Sequence, residues 1–133
     1  MQIGNTRIPV EIADTKEERD KGLSERRSLS KESGMLFVFD ESEAYRFWMP
    51  NMHFPLDIIW IANGKVIGIE ENIPPETDLN NPHFYKPPLP IDHAIEVNEG
   101  FSKVHAVKVG DIIVYCSAEK NPPTTADFIC KLL

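Results

Sequence analysis

A chain of 133 residues is the size of one domain, and by surface scaling it is expected to bury roughly two-thirds of its unfolded surface, enough to fold without staples. A hydrophobic content of 41% supplies a core, and 26% charged residues place the chain among ordinary globular proteins. The net charge of −7, with no basic cluster beyond Arg26-Arg27, excludes the footprint of a nucleic-acid binder and argues against an anionic membrane surface.

Met1 to Val10 mixes charge with proline and offers no apolar segment of signal-peptide length. No run approaches the ~18 apolar residues of a membrane helix, so a cytoplasmic location is expected. Arg7 to Ala13 alternates, with Ile8, Val10 and Ile12 on one face, the period of a half-buried strand. Thr15 and Glu18 have capping-box spacing, which predicts a helix from Lys16 to about Leu23. The apolar run from Gly34 to Phe39 predicts a buried strand, and Ala44 to Met49 another. Leu56 to Ile69 predicts a hairpin, two β-rich arms about Asn63-Gly64. Pro74 to Pro90 holds six of the eleven prolines and predicts a long loop. Strands are expected again at Ala94 to Val97 and Ile112 to Tyr115, with a helical turn between Gly100 and Val107. The tail from Ser117 onward ends in Phe128-Ile-Cys-Lys-Leu-Leu133, which predicts a short packed helix. Cys116 and Cys130 belong to no CxxC pair, and they read as unreactive, partly buried thiols. Many short strands and one early helix predict a mainly β domain of two packed sheets.

The run Phe47 to Ile61 contains both tryptophans, Met49 and Met52 beside a single acidic residue, Asp57. A carboxylate among apolar neighbours is either a ligand or proton acceptor, or an anchor for loop backbone or an arginine. Trp48 with Asn51 forms a plausible platform for a flat polar ligand; otherwise Trp48 fills core and Asn51 closes the turn after Pro50. Arg19 is expected to tie the helix to a carboxylate such as Asp57 or Glu96, while Arg26 is open to an anionic ligand or an ion pair. His53, His83, His93 and His105 have no metal-ligand spacing, and no nucleophile sits in a recognised motif. Neither a metal nor a cofactor is expected.

The series Arg19-Asp-Lys-Gly22-Leu23, Gly34-Met35-Leu36-Phe37, Phe47-Trp48-Met49-Pro50-Asn51, Pro55-Leu56-Asp57-Ile58-Ile59, Glu96, Gly100 and Gly110-Asp111 resembles the pattern of the DUF 192 (uncharacterised ACR) family, from about Ile8 to Tyr115. The resemblance implies a compact, jelly-roll-like β-sandwich with one N-terminal helix, and no established substrate or reaction. Two positions depart from the pattern: Ser24 stands where Met is common, and Met52 where Thr is common. Residues 1–116 are therefore expected to form the sandwich and 117–133 an extension.

The functional expectation is a non-catalytic binding or accessory module for a small polar ligand or a partner segment. Its site would gather Asp57, Asn51, Trp48, Arg26 and Glu96, with the Pro74 to Pro90 loop at the rim. Two alternatives stand beside it: an enzyme using Asp57 as general acid or base, and a purely structural or interaction domain.

Overall fold

The computed structural model describes residues 1–118 and 128–133. In chain order its elements are β1 (Gln2–Ile3), β2 (Thr6–Arg7), β3 (Val10–Ala13), α1 (Lys16–Lys21), β4 (Gly34–Glu43), β5 (Leu56–Ala62), β6 (Lys65–Ile73), β7 (Ile91–Asn98), α2 (Phe101–Val104), β8 (Ile113–Ala118) and β9 (Phe128–Leu132). They form two sheets. One has four strands in the order β2-β1-β8-β9, and the other five in the order β3-β4-β7-β5-β6.

Local chemistry accounts for the sharpest features. Both halves of the capping box form at α1: the Thr15 hydroxyl accepts from the Glu18 amide, and Glu18 accepts from the Thr15 amide. Asn63 and Gly64 both take positive φ, 50° and 73°, as the tight hairpin between β5 and β6 requires. Asp92 then accepts from the Asn63 amide at 3.0 Å and fixes that turn to β7. Pro9 breaks the expected first strand into β2 and β3. β3 runs parallel to β4, and α1 lies in the crossover that a parallel pair needs.

The five-stranded sheet is buried on both faces. Along β5, Leu56, Ile58 and Trp60 enter one core cluster with Leu23, Phe37 and Met49, while Ile59 and Ile61 enter a second. Ile3 and Ile113 of the four-stranded sheet complete the second cluster, which is the interior of a two-sheet sandwich. The first cluster is roofed instead by the non-strand segment Tyr45 to Phe54 and the chain after α1. Register in β5 is strongly specified, because a slip of one residue would drive Asp57 into the first cluster.

Three expectations fail. Ala44 to Met49 is no strand: its ladder contact is a single bridge, Phe47 with Tyr85, because its partner is a proline-bounded loop. Residues 119–127 of the tail lie outside the described residues, and in place of the expected short helix Phe128–Leu132 is a strand paired antiparallel with β8. That pairing sets Cys116 opposite Cys130, and the two form a disulfide rather than free thiols. A cross-link spanning 14 residues removes about 3 kcal/mol of loop entropy from the unfolded chain. Urea unfolding with and without a reductant is therefore expected to differ by about 3 kcal/mol. Titration of the unreduced, denatured protein for thiols should find none.

Candidate functional site

The roof over the first cluster does not close completely. Between α1 and the segment Tyr45 to Met52 lies a cavity of about 630 Å³. Its walls are largely aromatic, with Phe37, Phe39, Tyr45, Phe47 and Trp48, and Glu96 lies among its lining residues. Lys16, Arg19, Lys21 and Arg46 also line it, with Asp20 the other carboxylate. Gly22 ends α1 at φ 48°, ψ −131°, a conformation essentially confined to glycine. A Cβ there would lie 3.2 Å from the Phe37 ring and 3.7 Å from Glu96 Oε2, so glycine also leaves room above the carboxyl.

Glu96 sits on β7 opposite Met35 of β4 and Ile58 of β5. Its neighbours Ile95 and Val97 face the sandwich interior, so alternation turns its side chain toward the cavity. It is 6% exposed. Burial in these apolar surroundings pushes its carboxyl up to about 8, with no hydrogen bond or neighbouring charge contributing. The group is therefore held mostly as the neutral acid at pH 7.

Asp57, one strand away, has the opposite fate. It is fully buried on the other face of the sheet, beside Ile59 and Ile61. Its Oδ1 accepts from the amides of Asn72 (3.0 Å) and Gly100 (3.3 Å), and its Oδ2 from the amide of Ser102 (3.0 Å). Gly100 and Ser102 are the N-cap and second residue of α2, so Asp57 supplies the side-chain cap that Gly100 cannot. These bonds hold both oxygens within the fold. The general acid or base reading of Asp57 fails on this point, and Glu96 lies on the opposite face of the sheet.

The other expected site residues divide. Trp48 lines the cavity and is 40% exposed, while Phe47 and Met49 turn inward; Trp60 is the tryptophan that fills core. Asn51 is an exposed turn residue at φ 53°, and its carbonyl accepts from the Glu25 amide. Arg26 pairs with Glu11 and lines a neighbouring cavity of about 500 Å³ that shares Lys21, Gly22 and Ser24 with the first. Arg19 reaches neither Asp57 nor Glu96. Its guanidinium donates to the carbonyls of Asp14 and Val38, lies 4.0 Å from Asp40 and stacks over Phe39. Of the five expected residues, then, the cavity brings together Trp48 and Glu96.

Sequence reasoning passed over Lys21, Tyr45 and Arg46. The available signal was the alternation Tyr45-Arg-Phe-Trp48, which in an extended segment groups Tyr45 with Phe47 and Arg46 with Trp48 and so sets a cation beside a ring. The proline-rich loop braces this segment from outside. Phe47 and Tyr85 exchange backbone hydrogen bonds, Glu76 donates its amide to the Met49 carbonyl, and Phe84 packs against Trp48 and under Arg46. Among the described residues, no group of three His, Cys, Asp or Glu side chains is placed to hold a metal, and no helix is long and apolar enough to cross a membrane.

Two predictions separate the two carboxyls. Asp57→Ala strands three amides and should cost about 3–5 kcal/mol in urea unfolding. For Glu96, the unfolded chain ionises near 4.5 and the folded one near 8, so folding takes up a proton between those values. Stability from this group accordingly falls as pH rises from 4.5 to about 8. Glu96→Gln keeps the neutral shape, so its melting temperature should match wild type near pH ~5 and exceed it by several degrees near pH ~9.

Two solved structures share this architecture. One, from Sinorhizobium meliloti 1021 and described as a candidate transcription regulator, is 34% identical, covers 77% of this chain and 78% of its own, and superposes with a TM-score of 0.71. The other, a protein of unknown function from Novosphingobium aromaticivorans DSM 12444, is 31% identical, covers 79% of this chain and 73% of its own, with a TM-score of 0.72. No curated protein matches the chain. The family model described as uncharacterized ACR matches residues 1–115, and the chain belongs to that family, DUF 192, for which no function is established.

Proposed function

We propose that the protein is a binding module whose ligand occupies the cavity between α1 and the Tyr45 to Met52 segment, anchored on Glu96. One observation carries this reading. Glu96 is a buried carboxyl with no hydrogen-bond partner among the described residues, and it opens on a cavity large enough for a metabolite. Burying such a group unpaired costs free energy that an apolar residue of the same shape would not. A ligand that bonds to it recovers that cost.

The surroundings support binding rather than covalent chemistry. Ser24 lines the cavity but donates its hydroxyl to the Pro50 carbonyl at 3.0 Å. Trp48 and Tyr45 present ring surface, and the brace from the Pro74 to Pro90 loop fixes the outer wall before any ligand arrives. The original site reading thus moves by one strand and to the other face of the sheet: Glu96 replaces Asp57 as the polar anchor, and Trp48 stays.

A thermal-shift screen against sugars, nucleotides, amino acids and organic acids tests the reading. A ligand at ~100 times its dissociation constant adds about 2.7 kcal/mol, or roughly 3–6 °C for a domain of this size. Hits are expected to move the amide resonances of Gly22, Phe37 and Glu96. Hits that move only other regions, or a screen without hits, would remove this function.

A further inference from the structure

Resting on that binding reading, we propose that the ligand is a compact zwitterion with an apolar body, of the α-amino acid type. Its ammonium would meet the Glu96 carboxylate and its carboxylate the Lys21 and Arg46 side chains.

The cavity is polar at two places and apolar between them. Glu96 is the buried end, while Lys16, Lys21 and Arg46 are exposed. Two of the four lining cations are already engaged. Lys16 pairs with Asp20, and Arg19 is spent on Asp14, Val38 and Asp40. Lys21 and Arg46 have no ion pair among the described residues. Arg46 lies 4.2 Å from the Phe84 ring centroid, a stacking contact that steadies the guanidinium while leaving its N–H edge free. Lys21 directly precedes Gly22, and Gly22 is the residue whose missing side chain exposes Glu96 Oε2. One cavity is therefore lined by a buried acid and by two basic side chains without an ion pair among the described residues, a pairing that suits a molecule carrying both an ammonium and a carboxylate.

Simpler ligands satisfy one end only. A purely cationic molecule gains Glu96 but must pass the basic side chains at the mouth. A purely anionic one gains Lys21 and Arg46 but leaves Glu96 with at most one hydrogen bond to give. The walls of Phe37, Phe39, Phe47 and Met49 exclude a small polar body and favour an apolar side chain.

The proposal has a proton signature. The groups facing Glu96 around the cavity are Lys16, Arg19, Asp20 and Lys21 from α1, and Tyr45 and Arg46 from the following segment. Hydrogen bonding to Asp20 holds Lys16 above its ordinary 10.5, and burial holds Tyr45 above 10.0, so neither titrates near neutrality. Glu96, held up by burial, must give up its proton to pair with an ammonium. Binding at pH 7 should then release a proton, and affinity should tighten by about tenfold or more from pH 6 to pH 8.

The test is titration calorimetry of the intact chain with L-leucine, L-methionine, L-phenylalanine and L-tryptophan, in two buffers of different ionisation enthalpy. Each amino acid is run beside its N-acetyl and amide derivatives, and amide resonances of Gly22, Phe37 and Glu96 report whether the cavity is occupied. At least one free amino acid is expected to bind there with proton release, and N-acetylation should weaken it tenfold or more. Lys21→Ala, at an exposed position, should weaken it roughly fivefold without the change in proton count, whereas Glu96→Gln should abolish the proton release. Cavity occupancy by compounds lacking an amine, or by N-acetyl forms equally well, would overturn the zwitterion and leave the binding site standing. Failure of every class of compound to perturb the cavity would remove both.

Discussion

Asp57 is the fixed point from which this fold is organised. One carboxylate gathers the amide of Asn72 at the end of β6, the amide of Gly100 after β7 and the amide of Ser102 in α2. Two segments, the end of β6 and the turn into α2, thereby meet at the base of β5. The arrangement is economical, because Gly100 has no side chain with which to cap α2 and the short helix has four residues in which to find partners. Each of these bonds satisfies a backbone donor that would otherwise be left unpaired at the edge of the core. Without this junction the end of the sandwich would have to satisfy those amides with water in a region already filled by isoleucines.

The central sheet places two carboxyls with opposite assignments on adjacent strands. Asp57 and Glu96 belong to β5 and β7, and the pleat sends them to opposite faces. On the side facing the second sheet, Asp57 finds backbone donors. On the other side, an irregular segment replaces a sheet as the covering layer, and Glu96 finds a cavity. A second sheet would have met that face with a regular array of side chains and closed it. The Tyr45 to Phe54 segment, held by one bridge and a few loop hydrogen bonds, leaves a gap that the glycine at position 22 keeps open.

Much of this was legible in the chain. The Thr15-Glu18 box, the Asn63-Gly64 turn and the two-sheet architecture rest on local rules that tertiary packing reinforced. The anomaly of a carboxylate in an apolar strand was legible too, at Asp57. Its meaning was not, because strand periodicity assigns a face without saying what covers it. The same limit explains Ala44 to Met49, whose apolar residues alternate like a strand but lie beside a loop with few amides to offer. At Phe128 to Leu132 a short, largely apolar segment interrupted by Lys131 fits helix or strand equally well, and only the neighbouring β8 decides. The cysteine spacing is silent about pairing until that register places them face to face.

The position of β9 has a consequence for how the molecule behaves among copies of itself. It is the outermost strand of its sheet, and the hydrogen-bonding edge it covers is that of β8. An uncovered strand edge is a template on which another chain can add itself. The cross-link between Cys116 and Cys130 makes that cover a covalently retained part of the sheet, so β9 cannot drift away while the bond is intact. A reducing environment would leave the cover held by backbone pairing alone. The oxidation state of two sulfurs would then decide whether the outer edge of this sheet is always that of β9 or can at times be that of β8.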